Sequence, residues 1–392
     1  MVSDRSVDFI RTLIGFDTTS RESNLGLIEF VRDYLHGLGV ASELYWNAER
    51  SKANLWATIG PEDRPGVVLS GHTDVVPVDG QDWSADPFAL READGRLYGR
   101  GTCDMKSFIA VALAKVPQIL ERRLPAPVHL ALSYDEEVGC NGVRSLVEAL
   151  AKRSPRPALC VVGEPTEMQV IVAHKGGRGY RVHVIGKEAH SSLAPQAVNA
   201  IQYAGELITF IAGLGRELAE EGPQDALFDV PHTTISTGLI EGGTAMNIVP
   251  RDCRFVFEYR YLPGVDPDSI IGRIEDFART RLEPRMRAVA PDSGIRFEAG
   301  YDYPALDMSP DHPGIAFVKA LAGRNDHGKV AFGTEGGLFQ TLAGVPTVVC
   351  GPGSIRQAHK PDEYIALDQV DRCEAFLDRL FDRMGEGLPA MT

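Results

Sequence analysis

Two N-terminal stretches, SVDFIRTLIGF and NLGLIEFVRDYLHGLGV, carry apolar residues at spacings of three and four. That spacing predicts two amphipathic helices, the second closed by Gly37 and Gly39. The pattern then changes. GVVLSGH, PVHLALSYDEE, ALCVVGEPT and VPTVVCGPG are short, nearly unbroken apolar runs, the mark of strands buried on both faces of a mainly parallel sheet. Helical spacing returns between them in MKSFIAVALAKVPQIL and GVRSLVEALAK. Together these segments predict an α/β unit with helices on both faces of its sheet.

From about Gly177 the runs alternate apolar and polar positions. RGYRVHVIGK, AVNAIQYAGELITFIAGL, TTISTGLIEGG, DCRFVFEYRYL, PDSIIGRIEDFARTRL and GIRFEAGY read as strand, helix, two strands, helix and strand. Half-exposed strands in that order predict a separate α+β unit with helices on one face of an antiparallel sheet. Parallel-sheet texture resumes after MSPDHPG, so the expected first domain is discontinuous, residues 1–176 and 301–392, with 177–300 inserted.

Composition narrows the function. The 392 residues carry 54 acidic and 40 basic side chains, a formal net charge of −14 with no basic run. This argues against a nucleic-acid or anionic-membrane surface and favours small molecules or cations. No apolar stretch approaches the roughly 20 residues a bilayer requires, and MVSDRSVDFI lacks the order of a signal peptide, so the cytoplasm is expected. Six scattered cysteines without C-x-x-C predict reduced thiols, so that any metal must use histidine and carboxylate.

Ligands of open α/β sheets gather at the carboxyl ends of the strands. His72 and Asp74 follow the first apolar run, Asp135, Glu136 and Glu137 the second, Glu164 the third, and a loop from the fourth leads to His359. Asp104, in GRGTCDMKS, opens a predicted helix. Singly, each has a plain structural reading: a hydrogen-bonded H-x-D turn, a helix N-cap at Asp104, solvated acids at a strand end, a surface histidine. Jointly, at one sheet edge, His72, Asp104, Glu137, Glu164 and His359 make a two-metal site. Nitrogen and oxygen donors suit Zn²⁺, Co²⁺ or Mn²⁺. Three clustered carboxylates would repel one another, whereas two divalent ions and a bridging hydroxide balance them. Asp104 is the candidate bridge, and Asp74 is placed to accept the second N–H of His72 and fix its tautomer. Successive side chains of extended backbone diverge, so Glu136 is the free base and Glu137 the ligand. GRGTCDMKS lacks the Gly before Lys106 that a P-loop needs, and neither Ser70 nor Ser133 sits in a G-x-S-x-G elbow.

Taken together, SGHTDVVPV, GRGTCDMKS, DEEVGCNGV, VGEPT, GGTAMNIVP and GPGSIRQAHKPDEY closely resemble the di-zinc deacylase and aminopeptidase family that includes acetylornithine deacetylases and succinyl-diaminopimelate desuccinylases. The resemblance runs in order over nearly the whole chain. It implies one ion, Zn or Co, on His72, Asp104 and Glu164, a second on Asp104, Glu137 and His359, and Glu136 as general base acting on a metal-bridging water. The inserted segment would be a ferredoxin-like lid through which a homodimer forms. His190 would cross that interface to stabilise the oxyanion; without the resemblance it is a surface histidine. Arg178, Asn247 and Arg260 match substrate-binding positions, the arginines being otherwise ordinary surface charges. The segment from FGTEGG to DEYI resembles the acetylornithine branch, where Glu335 either meets a cationic substrate side chain or caps the helix beginning GGLFQ. The expected reaction is release of acetate from N²-acetyl-L-ornithine in arginine biosynthesis. Acetylcitrulline or broader N-acyl-amino-acid deacylation, succinyl-diaminopimelate hydrolysis, and a non-catalytic metal-binding homologue are the alternatives.

Overall fold

In the computed structural model, residues 2–391 are described, and the chain divides into two compact units. One runs through His174 and resumes at Leu306; the other is Lys175–Ala305. These boundaries lie two and five residues from those expected at 176/177 and 300/301. Cross-strand pairing sets them: Gly176 pairs with Tyr261 and Tyr303 with Gly177, so both boundary strands belong to the inserted unit.

The larger unit is built on a nine-stranded sheet. Its order is Ser42–Trp46, Ala53–Ile59, Val128–Ser133, Val67–His72, Leu159–Pro165, Thr347–Gly351, Ile171–His174 and Leu306–Asp307, with Gly328–Val330 also on Ile171–His174. The four central strands, from Val128–Ser133 to Thr347–Gly351, run parallel. Every residue of these four is buried, which explains their unbroken apolar runs. Antiparallel strands flank them, including the hairpin of Ser42–Trp46 on Ala53–Ile59, which apolar patterning did not predict. Asp4–Ile14 and Lys106–Arg122 form as helices where their spacing predicts them, and Leu25–Gly37 stops at Gly37. Lys106–Arg122 is buried along almost its whole first three turns. Its Phe108 ring leaves no room at Gly163, where a β-carbon would fall 2.0 Å from the ring.

The smaller unit has the predicted order of elements. Its sheet runs Thr234–Gly242, Asp252–Tyr261, Gly176–Ile185 and Gly294–Tyr303, antiparallel throughout. Cys253, Phe255, Phe257, Tyr259 and Tyr261 alternate inward and form one core with Ala200–Glu220 and Pro267–Phe277. The intervening residues of that strand, among them Arg254, Glu258 and Arg260, lie on the opposite face. No helix of the described residues is long and apolar enough to cross a membrane.

Candidate metal centre

Parallel strands deliver their carboxyl ends to one edge, and there the chain's acids and imidazoles meet. His72 ends its strand and is 1% exposed. Its Nε2 stands 2.9 Å from Asp104 Oδ1 and 3.8 Å from Glu164 Oε1. The other oxygen of Asp104, Oδ2, is 3.3 Å from His359 Nε2, which is also 3.1 Å from Glu137 Oε2. Asp104 thus turns one carboxylate oxygen to each histidine. Ligand atoms of His72, Asp104 and Glu137 lie within 4.8 Å of one another, as do those of His72, Glu136 and Glu164.

Electrostatics mark this cluster as incomplete without cations. Burial, followed by the charge of Asp104, pushes Glu164 well above the carboxylate range and Glu137 up to about 7. Burial likewise raises Glu136 well above its ordinary value. Burial would also raise Asp104, but hydrogen bonds with His359 and His72 hold it below the usual range. His359 is pushed up to about 10 by Asp104 and Glu137. Burial opposes charge on His72, yet Asp104 and Glu164 still drive it well above 6.5. Carboxylates crowded in this way favour added positive charge, and an all-nitrogen-and-oxygen donor set fits divalent ions.

Four expectations change. Asp74 does not hold His72 through its carboxylate: Nδ1 meets the Asp74 backbone oxygen at 2.9 Å, while Oδ1 is 3.6 Å away. Its carboxylate instead accepts from the amides of Glu136 (3.1 Å) and Glu137 (3.3 Å) and from Ser20 Oγ (2.7 Å). Nor do Glu136 and Glu137 diverge, because their backbone is a tight turn rather than a strand. Asp135 has φ 55°, pairs with Lys52 at 2.5 Å, and lets both following acids reach the cluster. The N-cap reading of Asp104 fails, since the helix begins at Lys106 with Met105 as cap; the Asp104–Met105 peptide is cis. Glu335 takes the N-cap position of Gly336–Thr341 without a capping bond, and the side chain is not offered at the surface. It is 1% exposed, its Oε2 is 3.3 Å from Ser70 Oγ, and burial raises its pKa to about 7.

Sequence reasoning missed Glu363. Its buried Oε1 accepts the amides of Gly101 (3.1 Å), Cys103 (2.8 Å) and Asp104 (3.1 Å), while Oε2 takes Arg100 Nη1 at 2.6 Å. Those bonds shape the loop that presents Asp104. The signal in the sequence was an acid beside His359 in HKPDEY and a turn of amides in GRGTCD, two segments that only the fold joins.

Within the smaller unit, His190 is exposed, with Nδ1 2.8 Å from Ser192 Oγ. Asn247 is its neighbour, since Ser191 N donates to Asn247 O at 2.9 Å. Arg178 pairs with Asp268 at 2.5 Å and Asp302 at 3.1 Å. Arg260 pairs with Glu258 at 3.2 Å and bonds the hydroxyl of Tyr303. Neither arginine is a plain surface charge.

Residues 68–383 match the model of peptidase family M20/M25/M40. The chain belongs to this family. M20 membership makes it a metal-dependent hydrolase, and divalent ions are its cofactors. It is 36% identical over 378 residues to the acetylornithine deacetylase of Myxococcus xanthus, covering 94% of each chain. Among solved structures it is similar to the M20 metallo-carboxypeptidase Sso-CP2 of Sulfolobus solfataricus, at TM-score 0.79 and 18% identity over 98% of this chain and 100% of that one. It is also similar to the dinuclear metal-binding M20 peptidase YXEP of Bacillus subtilis, at TM-score 0.65 and 15% identity, covering 98% of both chains. These likenesses match the M20 fold to the mixed α/β architecture with a mostly parallel central sheet.

Proposed function

We propose that this chain hydrolyses N²-acetyl-L-ornithine to L-ornithine and acetate, as a step of arginine biosynthesis. The carrying observation is Asp104, whose two oxygens face His72 at 2.9 Å and His359 at 3.3 Å, the disposition of a carboxylate shared between two ions. His72, Asp104 and Glu164 would hold one ion and Asp104, Glu137 and His359 the other, zinc or cobalt in each case. When bound, the pair supplies Lewis acidity toward the acetyl carbonyl and activates water.

The chain's own residues do the rest. Glu136 removes a proton from the attacking water and returns it to the departing amine, for which a half-buried carboxylate with a raised pKa is suited. Asp74 keeps Glu136 and Glu137 aimed by holding both amides. Arg178, Asn247 and Arg260 bind polar groups of the substrate, and His190 stabilises the oxyanion from the partner of a homodimer formed through the inserted unit as lid. Exposed Leu239 and Ile240 on the edge strand Thr234–Gly242 favour that interface. Six free, buried thiols accord with a cytoplasmic enzyme.

The relatives named acetylornithine deacetylase support the substrate. Hydrolysis of acetylornithine, acetylcitrulline and succinyl-diaminopimelate by zinc- and cobalt-loaded protein, measured side by side, tests it. The expected result is a preference for acetylornithine in kcat/KM; equal values for all three would overturn the assignment.

A further inference from the structure

The turn Tyr134–Gly142 brings a thiol to Glu136. Gly139 N and Cys140 N both donate to Glu136 O, at 2.9 and 2.8 Å, and Asn141 N closes onto Asp135 O at 3.0 Å. This winding leaves Cys140 Sγ 3.3 Å from Glu136 Oε1. Cys140 does so from a left-handed backbone, φ 55°. Glycine and asparagine are the ordinary occupants of that region, because a β-carbon there crowds the following carbonyl. Gly139 before it also has positive φ, 102°, as a glycine can; Cys140 takes the next positive-φ position as a non-glycine residue, and its side chain reaches the carboxylate. A strained position filled by a side chain in contact with a reacting group is where backbone strain points to function.

We infer that Cys140 is a positioning residue for Glu136: its S–H, donated to Oε1, fixes the carboxylate rotamer and leaves the second oxygen to carry the proton. The inference rests on Glu136 being that proton carrier. Burial and the neighbouring Glu136 push the thiol well above its ordinary pKa, so it remains a donor. A thiol is a weak donor, but an ionised carboxylate acceptor strengthens the bond.

Cys140→Ala, Cys140→Gly, Cys140→Ser and Glu136→Ala test this together. The measurements are kcat, KM, metal content, melting temperature and the infrared S–H stretching band, assigned by its loss in Cys140→Ala. Loss of the donor should lower kcat about tenfold in the Ala and Gly variants, with KM and metal content unchanged. Serine should restore kcat to within about threefold, and the glycine variant, relieved of its β-carbon, should melt no lower than the alanine one. In Glu136→Ala the S–H band should move to higher frequency. Wild-type kcat in Cys140→Ala, a serine variant no better than alanine, or an unmoved band would each overturn the inference. Full turnover by Glu136→Ala would instead remove Glu136 from the reaction, a separate failure. Should acetylornithine not be hydrolysed at all, the S–H band alone decides the contact.

Discussion

Replacing Glu363 by glutamine removes a charge and almost no volume, which isolates the electrostatic part of its role. Both partners of the Arg100–Glu363 pair are 1% exposed, and Oε1 alone receives three backbone amides. A glutamine cannot satisfy both sides. With its oxygen toward the loop, its NH₂ faces the Arg100 guanidinium 2.6 Å away; reversed, it faces three N–H groups. Burial raises the pKa of Glu363 despite Arg100, so the intact pair contributes little net stability. Removing one half is another matter, since it strands a buried cation at a cost of about 3 to 5 kcal/mol. The released loop also carries Asp104, and loss of a group that orients a ligand typically costs about 10- to 100-fold in metal affinity. Urea unfolding and competition with a chelator, below the variant's melting point, measure the two effects. A Glu363→Gln protein within about 1 kcal/mol of wild type and with unchanged metal affinity would refute this reasoning.

Asp74→Ala should cost about 3 kcal/mol in urea unfolding, because the buried Ser20 hydroxyl and two half-buried amides lose a charged acceptor, and it should lower kcat more than it raises KM; Asp74→Asn should fall between. His129 is held at about 4 by burial, against 6.5, with its ring stacked 4.7 Å from Trp56. In that window the unfolded chain binds the extra proton, so stability rises with pH, and wild type should lose roughly 3 kcal/mol relative to His129→Gln as pH falls from about 6.5 to 4. A pH-independent difference between the two would contradict the burial argument. Gly163→Ala should destabilise by about 1 to 3 kcal/mol by driving a methyl into Phe108, and Phe108→Leu added to it should recover part of the loss.

The centre was legible where the fold's own geometry makes it so. Parallel strands put His72, the acids after Ser133, Glu164 and the loop to His359 at one edge, and unbroken apolar runs reveal parallel strands. Asp74 was legible as a group that aims others but not in what it aims, because its partners, the amides of Glu136 and Glu137, lie some sixty residues away. Separating Glu136 from Glu137 by strand geometry failed, because a left-handed Asp135 ends the strand before either acid. Glu363 sits between half-buried Asp362 and Tyr364 in a polar run that looks solvated, and nothing local marks it as buried. The strand Ala53–Ile59 escaped notice for a related reason: its buried Asn54 looks like a loop residue until its partners, Gly142 O at 2.8 Å and Ser145 Oγ at 3.1 Å, are known.

Anomalous diffraction at the zinc edge from crystals of the zinc-loaded protein tests the centre most directly. The account predicts two peaks per chain, about 3.5–4 Å apart, one among His72, Asp104 and Glu164 and one among Asp104, Glu137 and His359. A single peak, or a pair in which Asp104 touches only one ion, would contradict it.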